Sequence, residues 1–83
     1  MTRILFFGRL RDAAGASEAA HELPASLRTV ADVRAWISAH DPHLGAALAA
    51  PGVRVAVDQV FAADDTPACG AGEIAFMAPL SGG

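Results

Sequence analysis

The chain has 83 residues, enough for one small domain and no more. Its net charge is −3, lysine is absent and its six arginines are scattered, which argues against a nucleic-acid surface, where a basic stripe is expected. No run of about 18 apolar residues is present to span a membrane, and the opening MTRILFFGRLRD lacks the long apolar stretch and cleavage site of a signal peptide, so a cytoplasmic location is expected.

The first element in chain order is Thr2–Gly8 (TRILFFG), rich in strand formers and closed by Gly8. Both of its faces are apolar, Ile4 and Phe6 on one and Leu5 and Phe7 on the other. Such a strand is buried on both sides or keeps one face for a partner. Arg9–Gly15 reads as a polar loop, and Ser17–Leu23 as a second strand pairing back on the first and ended by Pro24. Thr29 suits a helix N-cap and Asp32 supplies negative charge in the first turn. Val30, Val33 and Ile37 follow at helical spacing, with Trp36 at the margin of their stripe.

The helix is expected to stop before Pro42, since a residue preceding proline disfavours the helical region. Asp41-Pro42 then opens a short second helix with Leu44 and Leu48 on one face, ended by Pro51-Gly52. Val53–Val57 alternates with its valines inward, Asp58-Gln59 forms a turn, and Val60–Ala62 is a short strand. Asp64–Gly72 reads as loop. Glu73–Met77 (EIAFM) is the last strand, with Ile74 and Phe76 facing one way and Ala75 and Met77 the other.

A single cysteine, Cys69, forms no internal disulfide, and no Cys/His cluster has zinc-site spacing, so neither staple nor metal is expected. The fold must close on packing by Phe6, Phe7, Phe61, Phe76, Trp36 and scattered aliphatic residues. An α+β domain, with a helix covering one face of a mixed sheet of about five strands, buries both stripes. The β-grasp, ubiquitin-like architecture fits this order. It gives a body over residues 1–78 and a tail over 79–83. In that tail Pro79 stiffens the base, Leu80 follows, and Ser81, Gly82 and Gly83 have almost no side-chain bulk, as suits entry into a narrow channel.

MTRILFFGRLRDAAG, TVADVRAWI, VAVDQ and EIAFMAPLSGG together resemble the small subunit of molybdopterin synthase, in order and over nearly the whole chain. The resemblance rests most on Phe6, Phe7 and Arg11 in FF-x-x-x-R, on the Thr29-Val30 helix start, and on the Gly-Gly ending. Ala78 stands where the family usually has a first proline, and Asp58 where it usually has asparagine. The resemblance implies a sulfur carrier. A partner enzyme adenylates the Gly83 carboxylate with ATP, a sulfur donor converts it to a thiocarboxylate, and that nucleophile attacks a pterin precursor held by a large catalytic subunit. It also implies two small and two large subunits, no bound cofactor and no activity of the chain alone. Pro79, Leu80, Ser81 and Gly82 then form the inserted segment.

Leu5, Phe7, Phe61 and Met77 are candidates for a shared apolar face that docks these partners. Arg11 pairs with a partner carboxylate or with the tail, or is a solvated loop residue. Cys69 reads as an incidental thiol, His40 and His43 as loop polarity, and Asp64-Asp65 as a solvated acidic turn. A thiamine-pathway sulfur carrier, a ubiquitin-like protein modifier and a plain binding module remain alternatives to the synthase subunit.

Overall fold

The computed structural model describes residues 1–79. The elements run β1 (Thr2–Phe7), α1 (Leu10–Ala14), β2 (Glu18–His21), α2 (Val30–His40), α3 (Pro42–Leu48), β3 (Arg54–Val57), β4 (Val60–Ala62) and β5 (Glu73–Met77). The strands form one sheet in the order β2-β1-β5-β3-β4. The central β1–β5 pair is parallel and the other pairs are antiparallel. This is the expected β-grasp arrangement, with helices on one face of a mixed five-stranded sheet.

The core lies between that face and the helices. Ile4 and Phe6 from β1, Val55 from β3, and Ile74 and Phe76 from β5 meet Val30, Val33 and Ile37 of α2 and Leu44 and Leu48 of α3. Phe6 and Phe76 stack with ring centroids 6.3 Å apart. Trp36 packs against the rim of this cluster, between His21 and His40. Phe7 and Phe61 do not enter the core; both are exposed.

Local chemistry fixes the boundaries. A reciprocal capping box opens α2: Thr29 Oγ1 accepts from the Asp32 amide, and Asp32 Oδ2 accepts from the Thr29 amide at 3.1 Å. The Asp41 amide donates back to the Ile37 carbonyl at 2.8 Å and closes α2. Its Oδ1 then accepts from the Leu44 amide at 3.0 Å and opens α3, with Pro42 in the first turn. The β3–β4 turn puts Asp58 and Gln59 both at left-handed φ, 47° and 71°. That pair of angles matches the twist of a two-residue hairpin. Asp58 Oδ1 also accepts from the Gly72 and Glu73 amides at 3.0 Å each, so one carboxylate holds the hairpin to the start of β5.

Four expectations need correction. Arg9–Gly15 is not simply a loop but contains the helix α1, because Leu10 turns into the core and is 1% exposed. The second strand is shorter than Ser17–Leu23 and covers only Glu18–His21. His40 and His43 are not in a loop: His40 ends α2, its Nδ1 2.8 Å from the Trp36 carbonyl oxygen, and His43 lies in α3. Asp64 is more than a solvated acid, since Arg34 Nε donates to its Oδ1 at 3.0 Å and its carbonyl accepts from the Ala31 amide.

Candidate functional site

The sheet face away from the helices has no layer over it among the described residues. Strand register places its side chains in rows. One row crosses four strands as Leu5, Ala75, Ala56 and Phe61. The next holds Phe7, Met77 and Arg54. Two alanines therefore form a floor between Leu5 and Phe61. The floor residues are 5% and 7% exposed, whereas Phe7 is 48% exposed and Phe61 61%. Leu5 and Met77 are half-buried. Arg54 brings its guanidinium carbon 4.3 Å from the centre of the Phe61 ring, so the rim combines an aromatic face with a positive charge.

Four of the five residues expected at an interface are thus brought together. Arg11 is not on the sheet. It lies in α1, exposed, with Nε 3.5 Å from the Gly8 carbonyl, at the limit of a hydrogen bond. Among the described residues it has no salt bridge. Gly8 directly follows Phe7, so Arg11 stands at the end of the sheet where β1 and β5 both finish.

That end is also where the chain leaves the sheet towards its carboxy terminus. β5 lies between β1 and β3, hydrogen-bonded on both sides, and Ala78 and Pro79 follow it directly. Pro79 is exposed. Leu80, Ser81, Gly82 and Gly83 lie outside the described residues.

Other chemistry on the described surface is sparse. Cys69 is a free, exposed thiol beside a cleft lined by Met1, Glu22, Leu23 and Leu27, with a volume of about 320 Å³. No group of three or more potential metal ligands occurs among the described residues. No helix among them is long and apolar enough to cross a membrane. Asp32 is a carboxyl group whose titration the fold perturbs. Its pKa is held below 3.8, chiefly by the hydrogen bond from the Arg28 amide and then by that from Thr29.

Sequence reasoning missed Arg54, whose role depends on a cross-strand neighbour, and the alanine floor, whose members are adjacent only across strands. The alternation of VRVAV pointed to the outward side of β3, and with it to Arg54 and Ala56, without saying what lay opposite.

A family model described as the ThiS family matches residues 4–83, nearly the whole chain. The chain belongs to the ThiS family. It is a ubiquitin-like sulfur-carrier protein, and carriers of this type act with partner enzymes. Among solved structures, SAMP1 from Haloferax volcanii is 20% identical, with a TM-score of 0.81 over 99% of this chain and 98% of that one. A putative molybdopterin converting factor, subunit 1, from Pyrococcus furiosus is 21% identical, with a TM-score of 0.75 over 95% and 97%. The small archaeal modifier protein 1 from Methanosarcina acetivorans is 21% identical, with a TM-score of 0.66 over 99% and 95%. At such identities these likenesses establish the fold. The curated proteins gave no match to this sequence.

Proposed function

We propose that the chain is the sulfur-carrying small subunit of a molybdopterin synthase, with Gly83 as the residue that bears the sulfur. The observation that carries this reading is an open apolar sheet face beside a central strand that is followed, in the sequence of a ThiS-family chain, by Ala78, Pro79 and a Gly-Gly pair. Residues 1–78 form the docking body and residues 79–83 the inserted segment. Leu5, Phe7, Phe61 and Met77 dock the large subunit and, in turn, the activating enzyme. Arg11 and Arg54 meet carboxylates at the rim of those contacts. The similarity to the Pyrococcus furiosus converting-factor subunit supports the pterin acceptor.

The chemistry follows from the weakness of a carboxylate as an electrophile. ATP supplies AMP to the Gly83 carboxylate with loss of pyrophosphate, which gives an acyl adenylate. A persulfide on the donor protein attacks the acyl carbon, expels AMP and forms an acyl disulfide. A thiol then cleaves its S–S bond, itself ending in a disulfide, and leaves the thiocarboxylate on Gly83. Every group that activates ATP or orients the pterin belongs to a partner. This chain contributes the nucleophile and, through docking, its proximity. It binds no cofactor of its own, and its dependence on ATP suits a cytoplasmic protein.

The likeness to two small archaeal modifier proteins favours a second reading, in which Gly83 is joined to a lysine of a target protein. One experiment separates the two. The chain is incubated with ATP, a sulfur donor and its activating enzyme, and the carboxy-terminal peptide is mapped by mass. One oxygen exchanged for sulfur on Gly83, only when ATP is present, and passed on to a pterin precursor in the presence of the large subunit, is the expected result. A target protein attached at Gly83 moves the assignment to modifier. An unchanged Gly83, with an enzyme shown to activate another carrier, removes both readings. Deleting Gly83 is expected to abolish sulfur uptake and leave the melting temperature of the body unchanged.

A further inference from the structure

We infer that Gly52 is a positioning residue for the carboxy-terminal segment: its missing side chain makes the seat on which Pro79 rests, and so sets the direction in which the chain leaves the sheet. The inference rests on the proposed role of Gly83.

The register explains why these residues meet. Met77 pairs with Phe7 on one side and with Arg54 on the other. β1 is parallel to β5, so Gly8 comes to lie beside Ala78. β3 is antiparallel, so the residues before Arg54 come to lie beside Ala78 and Pro79. The two sides differ in tightness. A Cβ built on Gly8 would sit 3.6 Å from the Ala78 Cβ, an ordinary contact. A Cβ built on Gly52 would sit 3.1 Å from Pro79 Cγ and 3.4 Å from its Cβ. The proline ring thus packs directly on bare backbone at Gly52. The Val53 amide, which donates to the Ala50 carbonyl at 3.3 Å, closes the turn that presents it.

Proline makes this contact consequential. Its ring fixes φ near −65°, so pushing the ring reorients the backbone that follows it rather than a side chain alone. The proposed reacting carboxylate lies beyond Pro79 in the chain, and misplacement of a reacting group by about 1 Å lowers a rate by up to about a hundredfold. The docking face is untouched by such a change, because none of Leu5, Phe7, Phe61 or Met77 contributes to the seat.

The test is a cycle of Gly52→Ala, Pro79→Ala and the double variant, read by activating-enzyme kinetics with ATP and by thermal unfolding of the isolated chain. Gly52→Ala is expected to leave KM for the chain within about twofold and to lower turnover by roughly tenfold. Pro79→Ala in that background removes the ring atoms the new methyl meets, so the double variant is expected to turn over no slower than Pro79→Ala alone. Backbone strain alone does not give that non-additivity, because the φ of +86° that the parent turn requires at position 52 penalises alanine equally with or without the proline ring. Gly70→Ala serves as the strain control, with φ +76° and open space around it. It is expected to lower the melting temperature and leave turnover unchanged.

A rise in KM with turnover intact, a double variant slower than Pro79→Ala alone, or full turnover of Gly52→Ala overturns the inference. If the parent chain is not adenylated at all, the proposed function fails. The contact is then judged by nuclear Overhauser cross-peaks between the Gly52 α-protons and the Pro79 ring in the isolated parent. Their absence overturns the seat, and their presence upholds the exit geometry without the reaction.

Discussion

The two faces of the sheet use similar residues for opposite ends. On the helix side, Phe6 and Phe76 are 4% and 0% exposed and stack within a closed cluster. On the other side, Phe7 and Phe61 are 48% and 61% exposed beside an alanine floor. Neighbours along one strand, Phe6 and Phe7, therefore have different physical roles. The first removes apolar area from water within the monomer. The second leaves that area available for a second protein, at some cost to the isolated chain. Hydrophobicity alone does not tell the two apart; strand alternation and the position of the helices do.

The largest test of this division is on the covered side. Phe76→Ala removes a fully buried ring from the centre of the cluster and is expected to destabilise the domain by about 3–5 kcal/mol, read by chemical denaturation. Gly45→Ala probes the helical layer over the same core. A methyl there would meet the Ser38 Cα at 2.6 Å, a backbone atom that moves only with all of α2. A loss of about 1–3 kcal/mol is expected. Equal stability of either variant with the parent would mean that the helical layer is looser than its packing indicates.

The open side should respond in the opposite currency. Phe61→Ala gives up little burial and one stacked guanidinium, so its stability should fall by about 1 kcal/mol or less. If the face docks a partner enzyme, the same change is expected to weaken that complex by about 2 kcal/mol, or about thirtyfold in Kd, by calorimetry. A variant that binds normally but unfolds easily would reverse the assignment of the two faces.

The sequence made most of this legible wherever the signal was periodic or local. Val30, Val33 and Ile37 marked the buried stripe, Thr29 the cap, and Asp41-Pro42 the junction between helices, each through a mechanism confined to a few residues. Leu10 was hard to read because its companions at helical spacing, Ala13 and Ala14, are too small to mark a stripe; only the core cluster that they and Leu10 pack into gives it a place. Asp64 failed for a related reason, since its partner Arg34 lies thirty positions away in the chain. The open face was half legible. The two-sided apolar pattern of TRILFF fitted either a strand buried on both sides or one with an open apolar face, and its alanine floor and Arg54 depend on registers that no local pattern encodes.

The smallest effect sharpens the comparison at the entrance to the covering helix. Asp32 accepts hydrogen bonds from the Arg28 and Thr29 amides, at 2.9 and 3.1 Å, and those bonds hold its pKa below 3.8 in the folded chain. A carboxyl group with a depressed folded pKa releases its proton more readily when folded, so it adds stability above its unfolded value. That contribution is complete at neutral pH. It begins to fade as the pH drops past 3.8 and is lost once the pH passes through the lower, folded value. Asp32→Asn keeps a side-chain oxygen for one amide but carries no charge to titrate. The stability gap between parent and variant should therefore be widest at neutral pH and close in acid. A gap that stays constant would mean that the box acts through hydrogen-bond geometry alone. A gap that closes shows that the helix layer over the sheet is fastened partly by charge, whereas the open face has no helix to fasten.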